Sequence, residues 1–409
     1  MDILQIKNLL SQWQKQIEKN NNYLAIKTIN EIINTYKTLN EKERNNFLQN
    51  FKTLQKKIFS FIYSNDPLVR KHVVNLASLI DSNELLNDVV KYLKIERDYD
   101  ALLVYLRYIK KYGAIGFIPN ILEFAKQTTI LKAKYEAFSV ILSLAKSYRD
   151  YDKIVEFIFD DFKLLINNNK SIFLLNEIYK DLINTSMPYF REQDKPKVES
   201  FFYGFYESVF SKSAELVDLL KTKIEDEDTC QLASHIFVFL LISYNILERS
   251  SNSDNLQNLT YKDLRLADVF KNMVSNAKKL DLFLINIINI LDDLLIKDLF
   301  KKYAINEELI DYFISLLEKS DEKDGLKILH LINYLDIKFE EYHLLKLEEY
   351  SKKVFSESII DLSVEIFDKN RYYSPVFYFL KYSGSYSDKL KDKLRNVIKK
   401  IAKQERENE

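Results

Sequence analysis

Glycine and proline are nearly missing from this chain, with five of each in 409 residues. Glycine supplies the positive φ of tight turns and proline presets them, so a sheet-rich fold with catalytic loops would be short of turn chemistry. Long helices joined by short connections need little of either. A single cysteine, Cys230, excludes an intramolecular disulfide and a cysteine-based zinc site. It sits in the stretch CQLASHIFVFLLISYNIL with no activating base beside it, and reads as a buried small hydrophobe. There is no G-x-G-x-x-G and no G-x-x-x-x-G-K to cradle a phosphate. The longest apolar run, His235 to Leu247, is short for a bilayer and is interrupted by Ser and Asn. The opening MDILQIKNLLSQWQKQ lacks the basic region and apolar core of a secretory signal. The expectation is a cytoplasmic, soluble protein with no membrane partner.

What is present is enough to build a full core, since 47% of residues are apolar. Lys and Arg number 60 and so do Asp and Glu, giving no net charge. Their distribution is uneven. Residues 1–150 carry 23 basic against 15 acidic residues, and residues 151–300 carry 17 against 24. The N-terminal half is therefore electropositive. The chain is also rich in Lys, Asn, Ile, Tyr and Phe, the bias of an A/T-rich coding sequence, which accounts for part of its lysine.

NDPLVRKHVVNLASLI, residues 65–80, shows the organising pattern. Val69, Val73, Leu76, Ala77 and Ile80 fall on one face of a helix. Asp66 is placed to cap it and Pro67 to occupy its first position, where a missing N–H costs nothing. After Asp81, Ser82 and Asn83 a second stripe follows, made of Leu85, Leu86, Val89, Val90 and Leu93. Moved along by 32, these positions and Val74 meet Ala101, Tyr105, Leu106, Tyr108, Ile109, Tyr112, Phe117, Ile118, Ile121, Leu122 and Ala125, all apolar or aromatic. A further step of 33 keeps Phe138, Ile141, Leu142, Ala145, Tyr151, Ile154, Val155 and Ile158, and misses at Lys134, Ser139 and Asp150. A helix–turn–helix unit recurring at this period is the pattern of a helical solenoid.

The Asp66-Pro67 opening, the Val69-Arg70 pair and the spaced aliphatic residues resemble a HEAT-type repeat, most clearly over residues 66–160. The resemblance implies an all-α fold, an α-solenoid of stacked antiparallel helix pairs in a right-handed superhelix of the HEAT/armadillo kind. It brings no catalytic residues. Residues 1–65 read as an N-terminal helical cap, 66–248 as HEAT-like repeats, 249–263 as a polar loop or hinge, and 264–409 as irregular helical repeats. Expected helices in the later chain include 197–211, 213–223, 229–248 and 280–302, with a loop at 188–196 between two prolines. The acidic run 225–228 starts a helix, where carboxylates suit the macrodipole.

Residues that could carry chemistry are scattered. Gly113 and Gly116 read as a left-handed helix end and the start of the next helix. Glu340 and His343 share a helix face but stand alone, where a di-iron bundle needs a second such pair and two more glutamates, so they read as a solvated pair. His330 reads as a core histidine and His72 as outward-pointing. The aromatic runs FFYGFYESVF (201–210) and YYSPVFYFLKY (372–382) read as core filling, and Trp13 as packing the cap. No catalytic, metal or cofactor residue is nominated, and no cofactor is expected. A candidate binding surface is made of Arg70, Lys71, Lys91, Lys94, Arg107, Lys110, Lys111, Lys132 and Lys134, with Arg97 and Lys126 beside them; Asp88, Glu96, Asp98, Asp100 and Glu123 interleave. The leading expectation is a non-catalytic scaffold that binds another protein. A nucleic-acid-binding solenoid using the basic half, and an enzyme or enzyme accessory with a hidden site, remain the alternatives.

Overall fold

The computed structural model describes residues 3–17, 19, 21–146, 148–168, 171–191, 200–250 and 265–408. Among these the chain forms α-helices and short 3-10 turns and no strand, so the fold is all-α. It divides into two compact units, Met1–Ile158 with Glu199–Phe205, and Phe159–Val198 with Tyr206–Glu409. The first contains α1 (Ile3–Ile17), α2 (Asn22–Thr38), α3 (Glu41–Phe59), α4 (Pro67–Leu79), α5 (Leu86–Leu93), α6 (Tyr99–Tyr112), α7 (Ile118–Gln127) and α8 (Leu131–Ala145). Helix α9 (Tyr151–Asn168) carries the chain into the second unit. There follow α10 (Phe173–Arg191), α11 (Ser200–Leu220), α12 (Glu227–Ser250), α13 (Leu266–Asn276), α14 (Leu280–Leu294) and α15 (Lys297–Ala304). The unit closes with α16 (Glu307–Lys319), α17 (Glu322–Leu335), α18 (Glu341–Val354), α19 (Glu357–Lys369), α20 (Ser374–Lys381) and α21 (Asp388–Asn408).

Several expected boundaries move. The break near residue 212 is absent, and α11 runs through it. The expected helix 280–302 is two helices, parted at Leu295. Pro188 lies inside α10 near its end instead of opening a loop; the rest of that loop, and residues 251–263 of the polar stretch, lie outside the described residues. The N-cap reading of Asp66 holds, since its Oδ1 accepts the Leu68 N–H at 2.9 Å and Pro67 follows at the first helical position. Asp226 does the same for α12, accepting the Thr229 N–H at 2.9 Å. Helix Glu227–Arg249 is long and apolar enough to cross a membrane, and 83% of its most apolar window is buried among other helices.

Helices end without a left-handed glycine. No glycine has positive φ, whereas Asp81, Leu295, Asp336, Phe355 and Arg371 do, each just past the end of a helix. Left-handed geometry costs an L-residue about 1–2 kcal/mol, least for Asp. The helix ends meet that cost with hydrogen bonds: Ser82 N–H reaches Ala77 O at 2.9 Å and Tyr372 N–H reaches Phe367 O at 2.9 Å. Phe355 also packs its ring on Phe379 and Tyr386. Gly113 is thus not a left-handed cap: its φ is −68°. Its role is close approach, because a Cβ there would lie 2.4 Å from the Ile109 carbonyl oxygen.

In both units many helices pack on a helix two places along, or three in the case of α14 and α17. α2 packs on α4, α4 on α6 and α6 on α8; in the second unit α10 packs on α12, α12 on α14, α14 on α17, α17 on α19 and α19 on α21. Polar contacts show that α4 and α6 run parallel. Lys71 near the start of α4 meets Asp100 near the start of α6 at 3.2 Å, while Asp81 at the end of α4 meets Lys111 at the end of α6 at 3.0 Å. Residues related by the 32-residue step are buried together: Val69 and Ala101, Val73 and Tyr105, Leu76 and Tyr108, Ala77 and Ile109, Val89 and Ile121, Leu93 and Ala125. Ser139, a polar break in the pattern, is buried too, and accepts a hydrogen bond from Lys110 Nζ at 3.0 Å.

Two substitutions and one control test this packing. Leu76 is 0% exposed, so Leu76→Ala should lower the unfolding free energy by about 2–5 kcal/mol; denaturant titration gives the value. Gly325 in α17 faces the Tyr350 hydroxyl, where a Cβ would lie 1.7 Å from the oxygen. That hydroxyl donates to Asp321 O at 3.1 Å. Gly325→Ala should therefore destabilise by about 1–3 kcal/mol through overpacking, although alanine ordinarily stabilises a helix by about 0.5–1 kcal/mol over glycine. Gly384→Ala, with open space around it, should change stability by less than about 0.5 kcal/mol.

Candidate interaction surface

The buried tie at the centre of the basic half is built from residues 26 apart in sequence. Arg70 on α4 is only 8% exposed and belongs to the core, not to a surface stripe. Its Nε and Nη2 donate to Glu96 Oε2 at 3.0 and 2.6 Å, and its Nη1 donates to Ser64 O at 2.5 Å. The other carboxylate oxygen, Oε1, accepts the backbone N–H groups of Arg97 and Asp98 at 2.9 and 3.0 Å. Tyr105 adds its hydroxyl at 3.3 Å. Burial alone would raise the Glu96 carboxyl, but these donors outweigh it and hold it below its ordinary value. Burial likewise pulls Arg70 down, and Glu96 and Tyr105 more than restore it. A buried ion pair needs this full satisfaction, because each charge loses its hydration.

The remaining candidates lie outside and are mostly engaged. Lys71 pairs with Asp100, Lys94 with Glu123 at 2.6 Å, and Lys111 with Asp81, while also donating to Ser78 O at 3.1 Å. Lys91 lies 3.9 Å from Asp88 and Arg107 3.9 Å from Glu136. Lys110 bonds Ser139, Lys132 stands over the Tyr99 ring, Lys134 over Phe138, and Lys126 over Phe157. Lys71–Asp100, Lys94–Glu123 and Lys110–Ser139 all join residues 29 apart. They are rungs between successive helix pairs. Exposed pairs of this kind contribute about 0–1 kcal/mol each, yet each carboxylate also repels a phosphate brought to its lysine.

Helices α1 to α3 differ. Lys7, Lys15, Lys27, Lys37, Lys42, Lys52 and Lys56 are exposed there and form no ion pair with a described residue. Trp13 packs this region as expected, buried against Phe47 with its Nε1 donating to Glu31 at 3.0 Å.

The histidines reverse two expectations. His343 is buried, not solvated: its Nδ1 accepts the Glu340 N–H at 3.3 Å, closing the start of α18, and its Nε2 meets Asp311 at 2.7 Å. The other pattern reversal is His330, which is exposed and not in the core. His72 is half-buried, and burial followed by Lys71 lowers its pKa. Burial holds His235 neutral, its pKa lowered to about 4.

Cys230 is buried and its thiol is pushed up to about 11, by burial and then by Asp226, so it is protonated at neutral pH. Lys146, which no sequence pattern singled out, is pulled down to about 7 by burial and by Lys110. No group of three His, Cys, Asp or Glu among the described residues is placed to hold a metal. In the aromatic runs Phe202, Phe205, Tyr206, Phe210 and Phe379 are buried, whereas Phe377 and Tyr382 are exposed.

Removing one partner of the buried tie is the direct test. Glu96→Gln should destabilise the protein by about 3–5 kcal/mol, because Arg70 loses its counter-charge inside the fold. The Glu96 carboxyl is depressed on folding, so its contribution is complete above the unfolded value of about 4.3 and fades as pH falls through the lower folded value. The stability difference between wild type and Glu96→Gln should be flat above about pH 5 and shrink below about pH 4, as urea titrations across pH would show.

Compared with known families and curated proteins, the sequence matches no family model and no curated relative.

Proposed function

We propose that this chain is a right-handed α-solenoid of antiparallel helix pairs, HEAT-like in its first half, and that it works as a non-catalytic scaffold for another protein. The observation that carries this reading is the recurring rung. Lys71–Asp100 and Lys94–Glu123 span 29 residues, and Asp311–His343, Asp361–Lys393 and Asp368–Lys400 span 32. One end-of-helix device also recurs. Lys111 Nζ reaches Ser78 O and Asp81, and Lys369 Nζ reaches Asn333 O and Asp336. A chain that repeats its cross-links this way extends by adding units, and such arrays present broad surfaces to macromolecules.

The nucleic-acid reading draws support from the unpaired lysines of α1 to α3. The paired cations of α4 to α8 count against it there. Cross-linking followed by affinity capture, with and without nuclease, separates the two. The scaffold reading expects the same protein partner under both conditions. It also expects binding to mixed DNA or RNA no tighter than about 10 µM near physiological salt, the non-specific range. Capture that vanishes with nuclease would overturn it, as would sub-micromolar nucleic-acid binding lost on changing Arg107, Lys110 and Lys111, or Lys52 and Lys56, to Glu.

A further inference from the structure

A cavity of about 280 Å³ opens between the loop joining α5 to α6 and the loop joining α7 to α8. Lys94 and Arg97 line it from the first loop, Thr128 and Ile130 from the second, and Leu102 and Phe124 give it an apolar wall. Glu96 also borders the cavity, but both its oxygens are occupied by Arg70, Tyr105 and two backbone N–H groups. Lys94 is held by Glu123.

Arg97 is different from the cations around it. It is exposed, and its one side-chain hydrogen bond is donated by Nη1 to the Glu96 carbonyl oxygen at 3.2 Å. It has no carboxylate and no aromatic ring among the described residues. Next to lining residue Lys94 stands Ile95, 66% exposed, and next to lining residue Ile130 stands Leu131, 42% exposed. Single exposed aliphatics are ordinary. Two of them, each next in sequence to a lining residue, together with an uncommitted guanidinium give a mixed apolar and cationic surface, the composition of an interface anchor. Lys94 is already neutralised by Glu123, so the charge this site offers a visitor is the Arg97 guanidinium itself, which suits one anionic group.

We propose that an acidic segment of the partner protein docks here, with an Asp or Glu carboxylate paired to Arg97 and flanking aliphatic or aromatic side chains covering Ile95 and Leu131. This rests on the scaffold reading and narrows it to one edge and one partner chemistry. A carboxylate between apolar side chains suits a single free guanidinium, whose fork accepts it through two parallel bonds. A phosphate strand instead needs a row of free cations, and the neighbouring lysines already face carboxylates or rings.

The test is a selection of random twelve-residue peptides on the full-length protein, followed by fluorescence anisotropy of the selected peptides. Expected are peptides with Asp or Glu beside Leu, Ile or Phe, whose binding weakens at least tenfold in Arg97→Glu and in the Ile95→Ser, Leu131→Ser double variant. A peptide with its acidic residue changed to Arg should bind Arg97→Glu better than it binds wild type. Arg97 holds no structural partner beyond one carbonyl, so an unchanged thermal melt confirms that the variant is folded. The proposal fails if no peptide is recovered, if recovered peptides lack an acidic residue, or if they bind Arg97→Glu as they bind wild type. It fails equally if mixed-sequence RNA displaces them through Arg97, which would make the cavity a nucleic-acid site. A captured protein partner whose binding ignores Arg97→Glu would leave the scaffold reading standing and remove this site alone.

Discussion

Amphipathic helices in both units bury their apolar stripes against a sequence neighbour and also against a helix two or three places along. Everything else follows that constraint. Because α4 and α6 run parallel, equivalent positions such as Val73 and Tyr105 are both buried, and the core repeats at the 32-residue step. In the first unit the polar rungs repeat at 29 instead. The difference of three residues is close to one helical turn. Side chains on a helix lean toward its N-terminus, so a long lysine on one helix reaches the residue one turn earlier on its parallel neighbour. Core and rim therefore share one repeat with an offset fixed by side-chain direction.

Glycine scarcity shapes how the helices stop. Left-handed positions that glycine usually fills are held by Asp81, Leu295, Asp336, Phe355 and Arg371. At Asp81 the strain is put to use, because the carboxylate lands where Lys111 and Tyr112 converge, and Lys111 holds it below its ordinary pKa. Asp336 and Lys369 repeat the arrangement in the second unit. There the lysine lies 36 residues from the carbonyl it reaches, against 33 in the first. The device survives a change in helix length because it is anchored on the helix end.

Cross-linking of the rim by oppositely charged residues has a consequence for binding. A lysine with its own carboxylate offers a visiting anion little net field, so an excess of positive charge in sequence does not by itself become a positive surface. In α4 to α8 the excess is largely neutralised locally; in α1 to α3 it is not. The surface features left over from these pairings between α5 and α8, Arg97 with Ile95 and Leu131, are sparse.

Much of the fold was legible in the sequence. Periodicity gave the helices and the buried faces of α4 to α7, and the Asp66-Pro67 pair marked a helix start, because these signals depend on residues within a turn or two. Sequence alone did not decide where helices merge or part. α11 continues because tertiary packing buries its aromatic face, and α14 stops at Leu295 in a conformation that leucine does not announce. Nor could it decide partners. Arg70 and Glu96 were visible as one cation and one anion among many; only the stacking of α4 on α6 puts them 2.6 Å apart and out of water. His343 looked solvated because its acceptor, Asp311, is 32 residues away on another helix. Local sequence fixes which face of each helix must be covered, and only the tertiary structure decides which charges meet when it is.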